Sequence, residues 1–117
     1  MRNLIVTVLL IIVAILLATA IASAGKNDCT WEPPARYAGT SNLNFAMNIV
    51  PEAELKRACD GVFAKYGYTP LDRYNGCADR GTKEVFILES GRGCITEEAI
   101  LSHELGHING WSANHED

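Results

Sequence analysis

Three hydrophobic spacings divide this chain. Leu4 to Leu17 is apolar at every position except Thr7. Leu43, Phe45, Met47 and Ile49 alternate with Asn44, Ala46 and Asn48, and that period of two predicts a half-buried strand. Leu55, Ala58, Cys59, Val62, Phe63 and Tyr66 then recur three and four residues apart, the spacing of an amphipathic helix. Pro51 suits the first turn of that helix, Glu52 and Glu54 lie near its positive end, and Gly67 is placed to stop it. Cys59 falls on the apolar face, so its partner is expected in the layer beneath. The Met and aromatic side chains on these elements read as core rather than as a ligand pocket.

Beyond the helix, "GYTPLDRYNGCADRGT" (Gly67 to Thr82) is rich in turn residues, with room for a short strand at Tyr74 to Ala78. "KEVFILE" (Lys83 to Glu89) predicts a further strand. Thr96 can cap a last helix from Glu97 to about Asn109, whose first-turn glutamates suit the dipole. The order predicts a small α+β domain over 43–117, a short sheet with two packed helices. Residues 25–42, containing "WEPPARYAGTSN", read as an extended arm.

The apolar start reads as an address. Arg2 precedes it, and Ala22-Ser23-Ala24 offers a cleavage site before Gly25, so 1–24 is expected to be a signal peptide. The competing reading is an uncleaved membrane anchor over residues 4–24, since no charge interrupts a stretch able to cross roughly 30 Å of hydrocarbon. Either reading puts the rest of the chain outside the cytoplasm, periplasmic or secreted, with membrane contact only through this segment. The four cysteines, Cys29, Cys59, Cys77 and Cys94, then suggest two disulfides, with three pairings open. None has Cys-x-x-Cys spacing, which argues against a thiolate metal site. All fourteen acidic residues follow Gly25, so the exported part is more acidic than the formal net charge of -4. That balance argues against nucleic acid as a partner.

The chemistry lies in "HELGHINGW", residues 103 to 111. Residues four apart share a helix face, so His103 and His107 can present two imidazoles to one ion. At roughly 100° per residue, Leu101, Leu105 and Ile108 form a separate face expected to dock on the sheet. Glu104 falls between the two faces, where it can take a proton from a water that zinc has made acidic. Gly106 leaves space on the flank, at about 1 kcal/mol of helix propensity against alanine. All three histidines of the chain lie in its last fifteen residues. The bland alternative is a solvated histidine pair beside an ordinary surface glutamate.

"HELGHINGWSANH" resembles the zincin group of zinc metallopeptidases, and within it the metzincin pattern His-Glu-x-x-His-x-x-Gly-x-x-His. His103, Glu104, His107 and Gly110 match position by position. The family's third histidine would fall on Ala113, which cannot ligate, and His115 lies two residues further on. The methionine turn of that family is absent. The resemblance implies a zincin-like catalytic domain with Zn2+ on His103, His107 and His115 and with Glu104 as general base. Glu116, Asp117 and Glu89 are the alternative third ligands. It also implies that the strand before the helix, Lys83 to Glu89, offers an edge to an extended peptide; the alternative is a covered strand. A looser resemblance, to short exported bacterial proteins, rests on Asn44 to Val50, Cys59, "GCA" at Gly76 to Ala78, Glu84 to Leu88 and the terminal motif. It implies a metallopeptidase in which Cys59 pairs with Cys77 and Cys29 with Cys94.

Trp111 reads first as a hydrophobic plug fixing the loop that carries His115, and second as a substrate contact. Trp31 is open to both readings. Tyr74, Tyr68 and Arg73 are the candidates for stabilising an oxyanion. The function expected is an exported zinc-dependent hydrolase, a small metallopeptidase acting on protein or on a peptidoglycan peptide. The alternatives are a non-catalytic zinc-binding or interaction module of the cell envelope, and a disulfide domain whose motif is accidental.

Overall fold

The computed structural model describes residues 29, 31–39 and 44–116. The signal or anchor segment, Leu43 and Asp117 lie outside the described residues. The elements are β1 (Ala46–Val50), α1 (Glu52–Lys65), β2 (Gly76–Asp79), β3 (Glu84–Leu88) and α2 (Glu97–Ile108), preceded by a 3-10 turn at Ala35–Tyr37. This is a small α+β arrangement with one three-stranded sheet, ordered β1-β3-β2. β3 runs parallel to β1 and antiparallel to β2.

The two helices take opposite faces of the sheet. Cys77 on β2 is bonded to Cys59 on α1. On the adjacent residue, a Cβ added to Gly76 would stand 2.7 Å from Ile100 Cγ2 of α2 and 3.3 Å from Glu104 Cγ. Neighbouring strand residues point to opposite faces, so α1 and α2 sandwich the sheet. Leu55, Cys59, Val62, Cys77 and Leu88, with Val85, Ile87, Ile100 and Leu105, form the buried core.

Local signals explain the helix ends. Pro51 stands one residue earlier than expected, as the cap before Glu52, and its carbonyl accepts from Leu55 N at 2.9 Å. Gly67 follows α1 with φ +75°, the left-handed region where a Cβ is costly. Thr96 caps α2 by accepting from Ala99 N at 3.1 Å.

Two expectations about faces need correction. Met47 and Ile49 alternate as a strand should, yet they are 49% and 45% exposed. Their register partners Val85 and Ile87 are buried, because α2 packs over β2 and β3 and leaves the edge strand β1 uncovered. On α2 the sheet-facing residues centre on Ile100 and Glu104 rather than on Leu101, Leu105 and Ile108. Leu105 is buried, but Leu101 and Ile108 are only partly covered.

All four cysteines are paired, as Cys59–Cys77 and Cys29–Cys94. Two disulfides fit an extracellular or otherwise oxidising compartment. Among the described residues no helix is long and apolar enough to cross a membrane.

Candidate metal centre

α2 presents His103 and His107 one turn apart, and the end of the helix then reverses the chain. Trp111 N donates to Gly106 O at 2.9 Å and Gly110 N to His107 O at 3.1 Å, the paired bonds of a Schellman stop. Gly110, at φ +106°, supplies the required left-handed residue. The loop closes again when His115 N donates to Ser112 O at 3.0 Å. The Ser112 hydroxyl also accepts from Glu116 N at 3.1 Å. This folding holds His115 at φ +61°, an uncommon conformation for a residue with a side chain.

That loop brings the third imidazole home. His115 Nε2 lies 3.1 Å from His103 Nε2, and His107 Nε2 lies 3.3 Å from it. Three nitrogens at about 2.0–2.1 Å from a tetrahedral ion stand about 3.3–3.4 Å apart. Among the described residues, His103, His107 and His115 form the group of three that could hold a metal ion. Glu89 and Glu116, the alternative ligands that are described, are exposed and outside that group.

The donors behind the triad fit the same purpose. His103 Nδ1 donates to Trp31 O at 2.9 Å, and His107 Nδ1 donates to Trp111 O at 3.0 Å. A carbonyl only accepts, so in each neutral ring Nδ1 carries the proton and Nε2 a lone pair. Burial lowers all three histidine pKa values and outweighs the Trp31 bond at His103, which falls to about 4. Two neutral lone pairs therefore face each other at 3.3 Å. A cation between them relieves that repulsion, and carbonyl-fixed imidazoles are the usual supporting shell of a metal ligand.

Glu104 is buried and lines the same cavity, of about 710 Å³, as the three histidines. Burial alone raises its pKa to about 8. Positive charge at the triad would favour its ionised form.

Aromatic rings hold the imidazoles in place. Trp31 stacks on His103 with centroids 3.6 Å apart and planes 14° apart, and Trp111 stacks on His107 at 4.9 Å and 10°. Trp111 is buried, as a plug would be, and its Nε1 has no hydrogen-bond partner among the described residues. The Trp31 carbonyl and ring are part of the site. The Cys29–Cys94 bond anchors this arm two residues away, and Pro33 fills the space beside Gly106.

Other assignments change. Tyr74 lines the cavity, but its hydroxyl is occupied by Asp60 and by Leu71 N. Tyr68 and Arg73 line the cavity as well. Arg80, which no sequence pattern singled out, also lines it and donates to the Trp111 carbonyl that fixes His107. β3 is the central strand, paired on both sides, so Lys83 to Glu89 offers no free edge; the free edge beside the histidines belongs to β2.

Compared with protein-family models, curated proteins and solved structures, the chain gives no match.

Proposed function

We propose that this chain is an exported zinc-dependent hydrolase, a small metallopeptidase whose site is zincin-like. The observation carrying this reading is the convergence of three imidazole Nε2 atoms, two of them oriented by carbonyls, beside a buried carboxyl in one cavity. An all-nitrogen set suits zinc, among other borderline metals, and an exported compartment accords with two disulfides.

His103, His107 and His115 would hold the ion through Nε2. Zinc, when bound, supplies Lewis acidity that polarises a peptide carbonyl and makes water acidic near neutral pH. Glu104 takes the proton from water in the cavity and returns it to the departing amine. Proton transfer starts from the carboxylate, so the charge of a bound ion would have to bring the Glu104 pKa down from the value of about 8 that burial alone gives it. The substrate is protein or a peptidoglycan peptide.

Zinc content and hydrolysis of unfolded protein, measured together, test the reading. Glu104→Ala should keep its zinc and lose roughly 10²–10⁴-fold in rate. His115→Ala should lose zinc affinity as well as activity. Wild-type protein that takes up no zinc refutes the proposal. A second reading, a non-catalytic zinc-binding module, is favoured by the enclosure of His103, which is only 2% exposed beneath Trp31. Stoichiometric zinc with no turnover would select it.

A further inference from the structure

The cavity extends well beyond the histidines. Its wall includes both faces of β2 and passes under the C-terminal end of α1, into a lobe of Phe63, Tyr66, Tyr68, Leu71 and Tyr74. Phe63 holds the lobe together, meeting Tyr74 edge-on at 5.1 Å and Tyr68 at 5.9 Å. Tyr68 and Leu71 are 47% and 50% exposed, so the fold leaves this apolar wall uncovered.

Among the described residues, the backbone between lobe and histidines is also unpaired on its outer side. Leu88 N donates to Asn75 O at 2.9 Å, which makes the Asn75–Leu88 pair a hydrogen-bonded one. Antiparallel ladders alternate, so Cys77 and Asp79 bond to β3 while Gly76 and Ala78 turn their N–H and C=O groups outward. These outward groups lie along the cavity that contains Glu104 and the triad. Arg73, Arg80 and Arg92 line it too, and Glu52 pairs with Arg73 at 3.8 Å and with Arg92 at 2.8 Å.

We propose that this lobe selects an extended protein segment by one aromatic or large aliphatic side chain, adjacent to the bond presented to the histidines. The inference deepens the hydrolase reading and rests on it for the position of the bond. A segment paired to Gly76 and Ala78 alternates its side chains between the two faces of the sheet. One side chain lies on the α2 face, over His103 and Glu104. Its neighbour points to the α1 face and enters the aromatic lobe. A protein segment fits this chemistry; a peptidoglycan stem has no large apolar side chain to fill the lobe.

The test uses fluorescein-labelled hexapeptides of Ser and Ala with a single central Phe, or Ala in its place. Anisotropy is read on the zinc-loaded domain carrying Glu104→Gln, so that no peptide is cut. The Phe peptide should bind about tenfold tighter or more. Adding Tyr68→Ala and Leu71→Ala should bring the two peptides within about twofold, while a cooperative thermal melt and retained zinc show that the domain is still folded. N-methylation of the central peptide bonds should weaken the Phe peptide about tenfold. Equal binding of the Phe and Ala peptides, or a preference that survives the double substitution, overturns the inference. Insensitivity to N-methylation overturns the edge pairing. Hydrolysis is read separately on the wild type: zinc without turnover sinks the hydrolase reading, whereas the peptide preference alone decides the lobe.

Discussion

Gly76 is the residue on which the two halves of the site meet. Its missing side chain lets Ile100 and Glu104 settle against β2, since a Cβ would stand 2.7 Å from both Ile100 Cγ2 and the Phe86 carbonyl oxygen. Gly76→Ala should therefore lower stability by about 1–3 kcal/mol, a fall of roughly 4–8 °C in melting temperature for each kcal/mol. Trimming the partner side chain with Ile100→Val should recover only part of this, because the clash with the backbone oxygen remains. Full recovery in a thermal melt would show that the β2 backbone is free to shift. Histidine spacing was legible at this scale: His103 and His107 sit four residues apart on one element with Glu104 between them, and His115 needed only a turn glycine. The contacts of Trp31 with His103 and of Arg80 with the Trp111 carbonyl were not legible. Trp31 reaches His103 across 72 residues, and Arg80 reaches the Trp111 carbonyl across 31. Neither contact leaves a local pattern.

Among the elements, the arm behaves as part of α2 rather than as a tail. Asn109 donates from its side chain to Tyr37 O at 2.8 Å and to Gly39 O at 3.0 Å, and Cys29 bonds to Cys94 just before the helix. Trp31 holds φ +34°, a strained value maintained by the disulfide on one side and by His103 on the other. Freeing the arm should therefore weaken metal binding without touching a ligand. Cys94→Ser is expected to reduce zinc affinity about 10–100-fold, as loss of a supporting hydrogen bond does. Opening a bridge across 65 residues also costs about 4 kcal/mol, so a second variant is needed. Gly106→Ala keeps the disulfide but puts a Cβ 2.5 Å from Pro33 Cβ, pushing the arm away. Chelator competition should find weakened zinc binding in both, and unchanged affinity in Gly106→Ala would separate the arm from the site. The strand β1 shows the limit of pattern at this scale. Alternation at Phe45, Met47 and Ile49 identified a strand, but which side is covered depends on where α2 lies, and α2 stops at β3.

At the scale of the whole molecule, a small core is tied together by cross-links between layers. One is covalent, Cys59–Cys77, joining α1 to the sheet across 18 residues. Another is Asp79, at the end of β2. It accepts from Lys65 at 2.7 Å and from Tyr66, both at the C-terminal end of α1, and from the Gly81 and Thr82 amides of the following turn. Burial pushes its pKa up, but these four donors outweigh burial and hold it at about 2. A carboxyl whose folded pKa is depressed contributes stability above its unfolded value, near 3.8, and loses it as pH falls towards about 2. At pH 7, Asp79→Asn should therefore cost about 2 kcal/mol, the scale of hydrogen bonds to a charged acceptor. The gap between wild type and variant should stay constant down to about pH 4 and close between there and about 2. Urea melts of both proteins across that range measure it. A gap that persists unchanged at about pH 2 would mean that the amide substitution perturbs packing, and that the charge on Asp79 is not what binds α1 to the sheet.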